Sequence, residues 1–510
     1  MALNFLDVLI FLIFFAVVVG ISMFKSRKEE NEEDFFLAGR GLIWPFIGIS
    51  LIAANISTEQ FVGMSGQGGG ITGMAIASYE WMAAITLVFT AFFFLPKFLK
   101  SGVFTIPEFL EYRYNKAART IMAIFMMFTY VAVTLAAVLY SGALALSTIF
   151  EMDLVTSVWV IGIIAALYTT WGGLKAVAWA DLFQGSALVI GGAIVMFLGF
   201  QVIGVSNFME TNADKLHMIL PADHPVLPWT ALVIGLWIPN IYYWGLNQYI
   251  TQRTLAAKSL KHGQMGVIFA AGIKLIIPFI IVFPGIMAAQ LYPDALASNS
   301  DAAYPLLIKN LVPAGIKGFI FAALSGAVIS SLASMLNSAS TIFTMDIYKV
   351  YISKNQNSKS LVTIGRIATI IFVLIACFIA PNLNDPRLQG IFTYIQEFQG
   401  FISPGVLAAF IFGLAVKKAP PVAGIVALLL NLGIYAVLLI WFGDIAFLNR
   451  MAISFILVII VMAVITFVKP LDKPKELPVR KDFNMTPTAS VKWMGAAVVV
   501  ITLVLYAIFW

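Results

Sequence analysis

Apolar runs of about 18 to 25 residues follow one another from Leu3 to Trp510, each long enough to cross a hydrocarbon core of roughly 30 Å as a helix. The sequence therefore predicts an all-α integral membrane protein, embedded in the bilayer for most of its length. Only 11% of its 510 residues are charged against 61% hydrophobic, which leaves no stretch for a soluble catalytic domain. The first run, Leu3 to Met23, carries Asn4 and Asp7 where a secretory signal has a basic leader, and it reads as a retained helix. Cys377 is the only cysteine and sits inside an apolar run, so no intrachain disulfide is available.

The runs lie near 3–24, 42–66, 71–98, 117–149, 154–173, 179–205, 226–249, 265–292, 315–345, 360–382, 387–417, 419–441, 450–468 and 490–510, giving about fourteen spans. Their connections alternate in charge. Lys25, Arg27 and Lys28, then Lys97 to Arg119, Arg253 to Lys261, Lys349 to Lys359, and Lys469 to Lys481 fall on one side, while the opposite loops are poor in Lys and Arg. The positive-inside rule puts the basic loops in the cytoplasm and both termini outside, which requires an even number of spans in the cell (inner) membrane. The same rule accounts for the net charge of +6 without nucleic acid. The Lys- and Pro-rich segment 469–491 reads as a flexible cytoplasmic linker. The oligomeric state stays open.

Two runs are interrupted by polar residues. The second holds Asn55-Ile56-Ser57-Thr58-Glu59-Gln60, and the seventh holds Pro239-Asn240 with Asn247 and Gln248 beyond. Proline removes a backbone donor, and Ser, Thr and Asn offer the backbone competing hydrogen bonds, so both runs are expected to be broken helices. They stand five apart and enter from opposite sides, as the first helices of two inverted five-helix repeats do. The expected organisation is a preceding helix and first loop over 1–41, one repeat over 42–225, its inverted partner over 226–418, and three further helices over 419–510.

A charge at mid-bilayer costs about 2.5–3.5 kcal/mol even on the lenient insertion scale, so buried ionisable residues point to function. Glu59, Glu80, Lys274 and Asp181 are such residues, and no arginine lies deep in any run. The plain alternative is that Lys274 only neutralises Glu59 or Glu80. Gln60, Glu80, Asn240, Lys274 and Gln396 fall within the core spans, and Tyr242-Tyr243-Trp244 follows the seventh run's interruption. Such a set of amides, charges and rings suits a neutral polyol better than a carboxylate substrate. Sodium needs several oxygen ligands, which unwound backbone at Ala53 and Ile56 and the hydroxyls of Ser330 and Ser331 could supply. The small residues from Ala322 to Ser340 equally suit close helix packing. His217, His224 and His262 lie in loops without ligand spacing, which argues against a metalloenzyme.

Six segments in order carry a resemblance: residues 50–61, Ala77-Ser-Tyr-Glu-Trp-Met, Gly172-Gly173 with Asp181 and Gln184, Asn240 to Gln248, Ser330 to Ser338, and Tyr394-Ile-Gln-Glu. The chain resembles the sodium/solute symporter family, and within it the sodium/galactose and sodium/glucose type. That resemblance implies a LeuT-like inverted-repeat fold and import of a sugar with sodium as coupling ion. It assigns sodium to the carbonyls of Ala53, Ile56 and Ala327 and the hydroxyls of Ser330 and Ser331, with Asp181 on the cytoplasmic exit path. Gln60, Glu80, Asn240, Lys274 and Gln396 become the sugar's polar partners, Tyr243 the inner gate, and Met64, Tyr130 and Phe392 the outer lid. Ala83 replaces a sugar-contacting serine and Ala180 a usual threonine, so the sugar could differ. Another solute such as a sialic acid, myo-inositol or an amino acid is the alternative within this fold.

Overall fold

A computed structural model describes residues 4–25, 31–150, 152–297, 300–352, 357–383, 391–481, 483–486 and 488–510. The helices that matter here are α1 (Phe5–Lys25), α2 (Trp44–Asn55), α3 (Glu59–Gly69), α4 (Gly73–Ser101), α5 (Lys116–Leu144), α6 (Leu154–Leu167), α7 (Gly173–Ile203), α8 (Ala231–Leu246), α9 (Gln248–Leu255), α10 (Leu260–Leu291), α11 (Ile316–Ile352), α12 (Ser358–Leu383), α13 (Tyr394–Gly400), α14 (Ser403–Ala415), α15 (Pro421–Trp441), α16 (Phe447–Val468) and α17 (Ala489–Ile508). No strand occurs among the described residues; one isolated bridge joins Leu42 to Ala257.

Among the described residues ten helices are long and apolar enough to cross a membrane, and twelve spans result if each bent pair, α2 with α3 and α13 with α14, counts as one. The expected fourteen is reached only by adding the shorter α6 and α8. The outer helices α1, α16 and α17 bury only a minor share of their residues, as lipid-facing helices do, whereas the central α11 is almost wholly buried.

Helix α1 is pinned by the residue that marked its start in the sequence. Asp7 is buried, and its Oδ1 accepts from the backbone N–H of Gly315 and Gly318 at 2.7 and 2.9 Å. A carboxylate there satisfies donors that the first turn of α11 leaves without intrahelical partners and faces the positive end of that helix.

The interruption in the second run is a true break, with a 57° bend between α2 and α3. Its residues explain it. Ile56 adopts an extended conformation, Ser57 Oγ accepts from the N–H of Glu59 at 3.3 Å, and Gln60 Oε1 accepts from the N–H of Ser57 at 2.9 Å. Ser57 and Gln60 thus form a reciprocal cap that starts a new helix inside the bundle.

The seventh run breaks elsewhere than expected. Pro239 and Asn240 lie near the start of the regular part of α8, after a wide turn over 231–235, and the chain becomes extended only at Asn247. Near a helix start, proline's missing N–H is tolerated, so Pro239 does not end the helix. A further bend, of 45°, falls between α13 and α14 and was not anticipated.

The segment after α16 is laid along the basic-loop face, contrary to the expectation of a free linker. The N–H groups of Leu471 and Lys475 donate to the carbonyls of Lys418 and Lys417, that of Arg480 to Lys100, and that of Leu260 to Asn484.

Candidate functional site

Helices α2 and α3, α7, α9 and α11 meet beside the first break. Close approach depends on small residues: a Cβ on Gly185 of α7 would stand 2.9 Å from Ala53 Cβ of α2, and one on Gly326 of α11 would stand 2.8 Å from Gln184 Cγ. One turn before Gly185, Asp181 is fully buried. It accepts hydrogen bonds from Ser330 and Ser50, and Arg253 Nη2 lies 3.3 Å away. Arg253 also donates through Nε to Ser50 at 2.5 Å, to the Tyr249 carbonyl, and to Ser334. The expectation that no arginine lies deep in the bundle is therefore corrected. Arg253 sits on α9, a polar helix whose eight residues are all buried, and its count among the loop cations hid it.

Ser331 Oγ donates to the carbonyl of Ala54 at 3.4 Å and so faces the end of α2, while the neighbouring Ser330 donates to Asp181 of α7. Ala53, Ile56 and Ala327 are buried around them. The region combines hydroxyls, helix-end carbonyls and a single carboxylate. That donor set suits a hard monovalent cation better than a divalent one, which favours several carboxylates. Among the described residues no group of three or more His, Cys, Asp or Glu side chains is arranged to hold a metal.

A cavity opens on the other side of the same break. Gln60, Glu80, Asn240, Tyr243 and Gln396, drawn from α3, α4, α8 and α13, all line it, together with Met64, Glu59, Asn55 and Trp244. Gln60 has its Oε1 committed to the cap. Gln396 Oε1 has no hydrogen-bond partner in its buried position, which leaves an acceptor without a protein donor.

Lys274 stands behind the cavity and does not line it. Its ammonium donates to Glu80 Oε2 at 2.5 Å and to Asn55 Oδ1, and it lies 4.9 Å from the Trp244 ring centre. Asn55 in turn donates to the Tyr243 hydroxyl at 2.9 Å, which also accepts from Tyr249 at 2.5 Å. Asn55 and Tyr249 were not singled out in the sequence, though Asn55 stands at the edge of the polar interruption and could have been.

The outer-lid assignments fare unevenly. Met64 lines the cavity, whereas Tyr130 is buried behind its wall, its hydroxyl on Asn247 at the second break and its ring against Tyr249, both of which line it. Tyr79, one residue before Glu80, lines the cavity instead. Phe392 lies outside the residues whose side chains the structure describes. Ala83 and Ala180 are both buried, and neither lines the cavity.

Bent helix pairs, buried ion pairs and a cavity lined by amides, carboxylates and aromatic rings within a bundle of apolar helices are the build of a membrane carrier. Residues 35–430 match the Sodium:solute symporter family. A sodium/glucose cotransporter of Vibrio parahaemolyticus is 42% identical, with 100% of this chain and 99% of that protein aligned. The sodium/myo-inositol cotransporter 2 of Oryctolagus cuniculus is 31% identical over 81% of this chain and 66% of its own length. A solved Na+-coupled sialic acid symporter, substrate-bound and outward-open, superposes with a TM-score of 0.82 over 93% of this chain and 99% of its own, at 23% identity. The chain belongs to the sodium:solute symporter family. It is a multi-pass membrane protein that carries a small-molecule solute with sodium as coupling ion, and it is not an enzyme.

Proposed function

We propose that the protein imports a hexose of the galactose or glucose type together with sodium, by alternating access across the inner membrane. The observation that carries this reading is the single cavity where Gln60, Glu80, Asn240 and Gln396 converge beside the rings of Tyr243 and Trp244. Amides and a carboxylate bond hydroxyls, and a ring face covers the apolar side of a sugar. The Vibrio relative, a sodium/glucose cotransporter, favours the same solute class.

In this reading fourteen spans place both termini outside, and the repeats 42–225 and 226–418 rock about the cavity, with 1–41 before them and 419–510 after. Sodium sits among the carbonyls of Ala53, Ile56 and Ala327 and the hydroxyls of Ser330 and Ser331, and leaves past Asp181. Lys274 serves the sugar through Glu80 and Asn55, and Tyr243 closes the inner side. One charge falling through 100 mV yields about 2.3 kcal/mol, and a tenfold sodium gradient adds about 1.4 kcal/mol. Together these sustain a solute gradient of a few hundredfold at one sodium per solute.

A cyclitol such as myo-inositol is the second reading, favoured by the relatives that carry it and by Ala83 in place of a serine. Uptake of radiolabelled galactose and glucose into proteoliposomes under an inward sodium gradient tests the proposal, with a potassium gradient as control. Sodium-dependent accumulation of a hexose supports it. Accumulation of myo-inositol with neither hexose competing selects the second reading.

A further inference from the structure

A second concavity, of about 500 Å3, lies far from the transport site, between α6 and α12. Its rims are the exposed side chains of Ile163, Leu167, Ile370 and Leu374, and its floor is the contact of Gly162 with Cys377. A Cβ on Gly162 would fall 2.3 Å from the cysteine sulfur, so glycine here is what lets the two helices touch and leaves a furrow above them. At one end the furrow is closed by Trp159 and Phe378, packed edge to face with ring centres 5.1 Å apart. At the other end stands Arg366 beside Thr170.

The lining is otherwise apolar, which makes the arginine informative. Its guanidinium carbon lies 5.6 Å from the ring centre of the buried Phe35, and its Nε, shielded from solvent, makes no hydrogen bond. The cation thus lies against a ring, with one of its three nitrogens making no hydrogen bond. Thr170 donates its hydroxyl proton to the carbonyl of Ala166 at 2.6 Å.

Length and polarity agree on one occupant. Trp159 to Thr170, along α6 and the helical residues that continue it, and Arg366 to Cys377 on α12 each cover eleven residue steps, about 16 Å of helix, which is close to one leaflet of a hydrocarbon core of about 30 Å. Arg366 lies in the first half of α12, about 12 Å from its start on the basic-loop side, and its long side chain can reach from there toward the headgroups of that leaflet. We infer that the furrow between α6 and α12 binds one acyl chain of an anionic phospholipid whose phosphate pairs with Arg366. Because α12 also packs along α11, which carries Ser330 and Ser331, this lipid braces the helix that faces the proposed sodium site.

The test uses the purified chain in bilayers holding phosphatidylglycerol or phosphatidylcholine brominated near the chain end. Quenching of Trp159 is read as the difference from a Trp159→Phe variant. Several-fold stronger quenching by the brominated phosphatidylglycerol, kept in Arg366→Lys, lost in Arg366→Gln, and reduced when Ala166→Phe fills the furrow, is the expected result. Equal quenching by the two lipids in the unmodified protein overturns the proposal without reference to any variant. Persistence of the preference in a folded Arg366→Gln protein overturns it as well, since it assigns the headgroup to another cation.

Discussion

Arg253 and Asp181 face each other in the interior with Nη2 3.3 Å from Oδ2 and side-chain exposures of 1% and 0%. Ser50 bridges them, donating to the carboxylate and accepting from Nε. Removing one member of a buried pair strands the other, at about 3–5 kcal/mol, whereas removing both is far less costly. Arg253→Gln is therefore expected to lower the apparent melting temperature sharply, and Arg253→Gln with Asp181→Asn to regain much of the loss. Thermal unfolding in detergent decides it; additive losses in the double variant would show that the pair does not act as a unit.

A second relay runs from Lys274 through Asn55 to Tyr243, and Tyr249 closes it. Tyr243→Phe deletes the acceptor of two hydrogen bonds, each contributing about 1 kcal/mol net. Tyr243 lines the cavity and Tyr249 holds it from the basic-loop side, so loss of both bonds should speed solute escape on that side by on the order of tenfold. Tyr249→Phe, which removes only one bond, should have a smaller effect. Preloaded proteoliposomes report this as efflux, and equal efflux in all three proteins counts against a gate at Tyr243.

Much of this was readable before any coordinates, and the exceptions have physical causes. The break at Ile56 announces itself because Ser57 and Gln60 stand at capping distance, a local signal. The second break is silent. Asn247 leaves its side chain to Tyr130 instead of capping α9, while Pro239, the louder signal, falls where proline is harmless. Arg253 was misplaced because the positive-inside rule counts cations without asking whether tertiary partners bury them. That Tyr130 does not itself line the cavity was not legible, because one tyrosine in an apolar run looks like another until its hydroxyl partner is known. The convergence of Gln60, Glu80, Asn240 and Gln396 was legible as a list, but their common cavity depends on helix crossings that no single run encodes.

The two serines of α11 are expected to differ. Ser331 Oγ is engaged only with the Ala54 carbonyl at 3.4 Å, a long bond that a cation could replace. Ser330 is held by Asp181, so Ser330→Ala also releases the carboxylate from one donor. Each single alanine should raise the sodium concentration for half-maximal uptake, and the double variant should lose sodium-dependent accumulation. A sodium dependence unchanged in the double variant would remove these hydroxyls from the site.

Helix α3 lies backbone to backbone on α10. A Cβ on Gly285 would stand 2.0 Å from the Ser65 carbonyl oxygen, and one on Gly69 would stand 2.7 Å from that of Gly285. Backbone cannot step aside as a side-chain tip can. Gly285→Ala should therefore cost about 1–3 kcal/mol or more and depress uptake by displacing α3 from the cavity wall. Gly433 on α15 has nothing within 4 Å of its Cβ position, and there alanine should be neutral or stabilising by about 0.5–1 kcal/mol. Melting temperature and uptake measured on both variants separate close packing from a general intolerance of alanine.

The same region offers a pH dependence. Asp301, in the connection between α10 and α11, has its Oδ1 2.9 Å from where a Cβ on Gly66 would be, so the connection rests on α3. Burial pushes its carboxyl up to about 6, above the roughly 3.9 of an unfolded chain. The folded protein therefore binds this proton more tightly than the unfolded one, and the associated stability is present below about pH 4 and lost as pH rises through about 6. Asp301→Asn, which keeps the shape and cannot ionise, should match the unmodified protein below about pH 4, pull ahead in melting temperature as pH rises from about 4 to about 6, and keep a constant advantage above that. A difference that is constant from about pH 4 to about 6 as well would show that Asp301 does not titrate on folding. A difference confined to low pH would reverse the sign and place the stable form with the ionised carboxylate.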